Sequence, residues 1–154
     1  MSDPNIEICE RETYETAIQN SVGTSLFNSL FVRKRDTGEI IDITENGEYS
    51  CAFFVSNILV LAGLLKKAHA TVSGLERKIK DDHLWKKINP AHSNLGDVII
   101  WDKITHSDGL EHAHCGFVLD AQDAMSTSDR KKMVIKHPMG YRNRPITAVY
   151  SYQW

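Results

Sequence analysis

The stretch CAFFVSNILVLAGLL, residues 51–65, constrains the chain more than any other. It is apolar enough to require burial but falls short of the about 20 residues that cross a bilayer, and it carries Ser56 and Asn57. Phe53, Phe54, Ile58, Leu61 and Leu65 recur at helical spacing. The pattern predicts a helix from about Ser50 to Lys67, with Ser50 as its N-cap. Such a helix needs a second layer to cover its face, and the rest of the chain must supply it.

The C-terminal half has the texture of that layer. DVIIW (97–101), AHCGFVL (113–119), KMVIKH (132–137) and ITAVYSY (146–152) read as strands between polar turns. Upstream, ERETYETAIQN (10–20) reads as a mostly solvated helix closing near Gly23. LFNSLFVRK and EIIDI flank the turn signal RDTGE as a hairpin. The segment from Ala70 to Ile88 reads as one further exposed helix, with Ser73 a candidate cap. Helices first and strands later predict a single α+β domain over 1–154, with a largely antiparallel sheet. Residues 1–47 form an N-terminal helix-and-hairpin extension and 48–154 the core.

Charge and cysteine content narrow the partners. The net charge of −2 carries no overall basic signature for nucleic acid. Residues 1–50 hold ten acidic and four basic side chains, against ten and fourteen in residues 51–154. The start MSDPNIEICERETYE lacks the basic segment and apolar run of a secretory signal. Synthesis in the cytoplasm is therefore expected, with any release by another route, and no membrane partner. Three cysteines, at 9, 51 and 115, leave at least one unpaired, which suits a reducing compartment or a reactive thiol.

Cys51 falls in the first helical turn, where free amides and the helix dipole stabilise a thiolate. A catalytic thiol also needs a base and a group to orient that base. Among the seven histidines, His114 stands out. It shares a strand face with Gly116 and Val118, while Cys115, Phe117 and Leu119 share the other face. His69, His83, His92 and His106 show no partner pattern, and His112 lies at the strand entrance. Cys115 reads as core and Cys9 has no assigned role. Asp97 reads as a turn cap; Trp85 and Tyr150 read as packing residues.

A cysteine opening an apolar helix, then LGDVIIW, then HAHCGFVLD, resembles the NlpC/P60 and CHAP superfamily of papain-like cysteine hydrolases. The likeness covers roughly residues 48–152. ENGEYSCAFFVSNILVLAGLLKKAHATVSG is also similar to a group of uncharacterised bacterial members. The resemblance implies a papain-like fold in which the nucleophile helix packs on the sheet. It implies Cys51 as nucleophile, His114 as base, and a cysteine amidase or peptidase with no cofactor and no metal. The implied substrate is a peptide or muropeptide of bacterial cell wall.

The chain departs from the family in reading Ser50-Cys51-Ala52-Phe53 where many members have Asp-Cys-Ser-Gly. The third catalytic position is open. A gap-free count lands on Ser126. His137, which ends the next apolar strand, serves if the intervening segment is a loop insertion, and a backbone group or water is the third choice. Tyr49 and Trp101 are candidates for a substrate groove. Two rival readings stand beside the enzyme: a silent glycan- or peptide-binding domain of the same fold, and a zinc module built on HAHC. Zinc needs three or four convergent ligands, and strand alternation turns Cys115 away from His112 and His114.

Overall fold

The computed structural model describes residues 5–154. The reading of the chain's start rests partly on residues 1–4, which lie outside the described residues. Helix α1 (Glu10–Asn20) buries Tyr14 and Ile18, one turn apart, and exposes its charged side. Strands β1 (Phe31–Arg33) and β2 (Ile40–Asp42) form the expected hairpin, shortened to three pairs. Asp42 then organises the turn that leads to Cys51. Its Oδ1 accepts from the amides of Leu30 and Thr44 and from the Thr44 hydroxyl, and its Oδ2 accepts from the amide of Asn46.

Helix α2 (Cys51–Leu61) is shorter than its apolar sequence suggests. Gly63 adopts φ +73, and the amides of Gly63 and Leu64 turn back to the carbonyls of Val60 and Leu59. A left-handed residue after the last turn ends a helix, and glycine adopts that conformation at least cost. Residues 62–67 therefore lie outside the helix, and Leu61 is exposed rather than buried. The buried face consists of Phe54, Val55, Ile58 and Leu59. Ser50 holds the N-cap position without capping; its hydroxyl donates to the Gly47 carbonyl instead.

The single helix expected over 70–88 divides in two. Helix α3 (Val72–Asp81) is capped by Thr71, whose hydroxyl accepts from the Gly74 amide, so Ser73 is not the cap. Trp85–Ile88 is a strand, β3. Four more strands were expected: β4 (Val98–Thr105), β5 (Glu111–Val118), β7 (Met133–Pro138) and β8 (Ile146–Tyr152). A fifth, β6 (Asp123–Ser128), occupies the segment expected to be a loop insertion. Together the strands form one antiparallel sheet in the order β3-β8-β4-β5-β6-β7.

Both faces of the sheet are covered. One packs under α1, α2 and α3 through Phe54, Val55, Cys115, Phe117 and Met125. The other encloses Ile99, Trp101, Val118, Ala124, Val149 and Tyr141. Trp101 is fully buried there and its indole N–H donates to the Met139 carbonyl, so it lines no groove. Asp97 accepts from the Asn94 amide as a turn cap, and the neighbouring Gly96 carbonyl accepts from the Tyr14 hydroxyl. These bonds tie α1 to the start of β4. Among the described residues, no helix is long and apolar enough to cross a membrane.

Candidate active site

Three adjacent strands and one helix end supply the site. Cys51 is the first residue of α2. The helical ladder begins with the Phe54 amide bonded to the Ser50 carbonyl, so the helix itself does not use the amides of Cys51, Ala52 and Phe53. Against this end lies β5, whose alternation puts Cys115 beneath the helix and His114 on the opposite, aromatic face.

The paired part of β5 and β6 is confined to Phe117↔Met125 and Val118↔Ala124. Beyond it, β6 passes so close to β5 that a Cβ on Gly116 would stand 2.1 Å from the Met125 carbonyl oxygen and 3.0 Å from the Ser126 Cβ. A glycine is required there because backbone fills the space of any side chain. The approach brings Ser126 to His114: Oγ lies 2.8 Å from Nε2. On its other side, the same Oγ lies 2.8 Å from His137 Nε2, on β7. Next, His137 Nδ1 lies 2.9 Å from the Pro138 carbonyl oxygen.

This order fixes the protons. A carbonyl only accepts, so His137 Nδ1 carries hydrogen and, in the neutral ring, Nε2 accepts from the Ser126 hydroxyl. Ser126 Oγ then accepts from His114 Nε2–H, leaving the lone pair of His114 on Nδ1. Burial, reinforced by the charge of His114, pushes His137 down to about 4, which keeps the ring neutral. The two open candidates for the third position are therefore consecutive members of one chain. Ser126 touches His114, and His137 holds Ser126.

Aromatic rings set the planes of both imidazoles. Tyr141 stacks on His114 at 4.7 Å and 17° and covers His137 at 4.3 Å; Trp101 lies 5.6 and 5.5 Å from the same two rings. Tyr141 stands in a tight turn whose next residues, Arg142 and Asn143, have φ 49 and 57. Left-handed backbone at non-glycine residues costs roughly 1–2 kcal/mol each. The bidentate pair of Arg142 with Asp129 helps hold the turn in that shape.

The electrostatics favour a thiolate at position 51. A hydrogen bond from the Cys115 thiol, with the charge and hydrogen bond of His114, holds Cys51 well below the usual thiol range despite its burial. Burial and the Cys51 side chain push Cys115 up, so Cys115 remains a protonated donor. Cys51 and His114 retain slight exposure, whereas Cys115 and Ser126 have none. Cys9 is exposed.

Cys51 and His114 open on a cleft of about 500 Å³. Tyr49 lines it, its ring tilted against His112 at 4.7 Å and its hydroxyl donating to Asp108 at 3.0 Å. His112 Nε2 lies 2.7 Å from the same carboxylate oxygen. The β4–β5 turn is thereby tied to the residues just before Cys51. A bulge between Trp101 and Ile104 adds one residue to β4 against His112–His114 and tightens the twist at this rim.

The HAHC residues enter three different environments: His112 joins Asp108, His114 joins Ser126, and Cys115 lies under α2. Metal-ligand atoms of Glu48, His106 and Asp129 come within 4.8 Å of one another. Each is already engaged: Glu48 with Lys132, Asp129 with Arg142, and His106 Nε2 with Arg144. A cation would have to displace three positively charged side chains, so this donor set fits metal poorly. His106, Asp129, Tyr141, Arg142 and Arg144 had no functional signature in sequence; they gather at the site from the β4–β5, β6–β7 and β7–β8 connections.

No protein-family model matches the chain, and no curated protein matches it.

Proposed function

We propose that the protein is a cysteine amidase or peptidase acting through an acyl-enzyme, with bacterial cell-wall peptides as its substrate class. One observation carries the reading: Cys51 at a helix N-terminus beside His114, whose ring is held by Ser126 and His137. His114 Nδ1 takes the thiol proton, and the Cys51 sulfur attacks the amide carbonyl. The free amides at the start of α2 receive the oxyanion. Imidazolium then gives its proton to the departing amine as the C–N bond breaks. Water, deprotonated by His114, attacks the thioester and releases the acid and the thiol. Throughout, His114 Nε2–H stays bonded to Ser126, so the ring keeps its orientation in both protonation states.

The substrate class comes from the resemblance of Cys51, Gly96-Asp97 and His114-Cys115-Gly116 to the NlpC/P60 superfamily. The test is incubation with defined muropeptides and mass spectrometry of the products. A new amine and acid terminus, absent with Cys51→Ser, supports the reading. Intact muropeptides alongside turnover of other peptide amides would leave the chemistry and overturn the substrate. No turnover of any amide, with Cys51 unreactive, would overturn both.

A further inference from the structure

Arg144 is 4% exposed and lines a small cavity together with Cys51 and His114. Its Nη1 donates to the carbonyls of His112 and Asp102, at 3.2 and 3.4 Å, and its Nη2 to His106 Nε2 at 3.2 Å. Its Nε–H is buried and has no partner among the described residues. None of these acceptors carries a charge: two are carbonyls, and an imidazole nitrogen that accepts from a guanidinium is unprotonated. The other cations on this wall are matched, Arg142 by Asp129 and Lys132 by Glu48. Arg144 is thus a buried, permanently charged group with no carboxylate hydrogen-bonded to it among the described residues; Asp129 and the Cys51 sulfur act on it only through space.

A buried charge with no hydrogen-bonded counter-ion and one unpartnered N–H is costly, and such a group beside Cys51 points to a ligand that completes it. The cavity measures about 20 Å³, room for about one oxygen-sized group, and shares Cys51, His114, Glu48 and His106 with the larger cleft. A chain lying in the cleft can place its reacting carbonyl at Cys51 and one anionic oxygen in the cavity. We propose that Arg144 forms an anion subsite beside Cys51, and that the amide substrate carries a free carboxylate close to its scissile carbonyl. This inference rests on Cys51 being the nucleophile. The carboxylates of Glu48 and Asp129 bound the pocket but are held by their own cations, and they limit it to one anionic group.

Two alkylating reagents of nearly equal size test the subsite without knowledge of the substrate. Iodoacetate carries a carboxylate and iodoacetamide does not; in both, the Cys51 sulfur displaces iodide. Rates are read at Cys51 by peptide mass spectrometry, with glutathione as the reference thiol. The expected iodoacetate-to-iodoacetamide ratio at Cys51 is about tenfold above that of glutathione, the scale of one charge-assisted hydrogen bond. It declines as sodium chloride is raised. Arg144→Gln brings the ratio to the glutathione value, and Arg144→Lys restores part of it.

Fast iodoacetamide labelling with a wild-type ratio equal to that of glutathione overturns the subsite and leaves the nucleophile standing. Slow labelling by both reagents overturns the nucleophile and the subsite with it. Equal slowing of both reagents in Arg144→Gln, with an upward shift of the pH midpoint, assigns Arg144 to the thiolate and also overturns the subsite. If the glutamine variant does not fold, the wild-type ratio and its salt dependence decide.

Discussion

Ser126 stands between His114 and His137 with its hydroxyl oxygen 2.8 Å from Nε2 of each ring. The serine is inaccessible to solvent, and the far end of the chain is anchored on the Pro138 carbonyl. A hydroxyl can accept from one imidazole while donating to another, which a carboxylate or a carbonyl cannot do.

Ser126→Ala leaves His114 Nε2–H without its partner and frees the ring to turn. The rate of Cys51 carboxamidomethylation at neutral pH should fall about 10- to 100-fold, as expected for a disturbed base. His137→Ala should cost less, because the Ser126–His114 bond survives it. The double variant should match Ser126→Ala alone, since members of one network are not additive. Independent, additive losses would show that the two residues do not act in series.

Cys51 should react faster than Cys115 with iodoacetamide in the folded protein. Its pH midpoint should lie below the about 8.5 of an ordinary thiol. The thiol of Cys115, and after it the charge and hydrogen bond of His114, favour the thiolate. His114→Ala should raise that midpoint, and His112→Ala should leave it nearly unchanged, because His112 is bonded to Asp108 on the cleft rim. The measurement is the alkylation rate of each cysteine across pH.

His137 gives the fold a defined acid sensitivity. Its folded-state value is pushed from 6.5 to about 4, chiefly by burial, so the unfolded chain binds more protons between those limits. Its contribution is therefore intact above about 6.5, is lost as pH falls, and levels off below about 4, for a total of about 3 kcal/mol. Urea unfolding from pH 4 to 7 should show this slope, and His137→Asn should flatten it. An unchanged slope in the variant would move the sensitivity elsewhere.

Gly116→Ala places a methyl group 2.1 Å from the Met125 carbonyl oxygen. Strand β6 must shift, at a cost of at least about 2 kcal/mol, and Ser126 moves with it. Both thermal stability and Cys51 alkylation should drop together. Gly140→Ala is the matched control, because nothing lies within 4 Å of its added methyl and its φ is −77.

The antiparallel α+β arrangement, the placement of Cys51 at a helix start and the strand face of His114 were all legible in the sequence. Those features follow from local periodicity. Strand β6 was not legible: in DAMSTS only Thr127 strongly prefers a strand, and the burial comes from tertiary neighbours, β5 and β7 beside it and α2 over Met125. Missing it made Ser126 and His137 look like alternatives. The end of α2 yielded to a single glycine, Gly63, that apolar spacing cannot register. The charged wall around Arg144 joins residues from four separated segments, and no local pattern records such a meeting.

The imidazole–hydroxyl–imidazole chain is built from β5, β6 and β7, three consecutive antiparallel strands, and spans only residues 114–137. The proposed nucleophile, Cys51, lies 63 residues upstream of His114, on a different element. The two parts therefore belong to different scales of folding: the meander closes through short loops, while the thiol arrives only when α2 docks across the sheet. A nascent or partly unfolded chain carries Cys51 as an ordinary cysteine. On the proposed reading, reactivity is a property of the completed tertiary structure, because undocking the N-terminal end of α2 would take the Cys51 thiol away from His114 and Cys115.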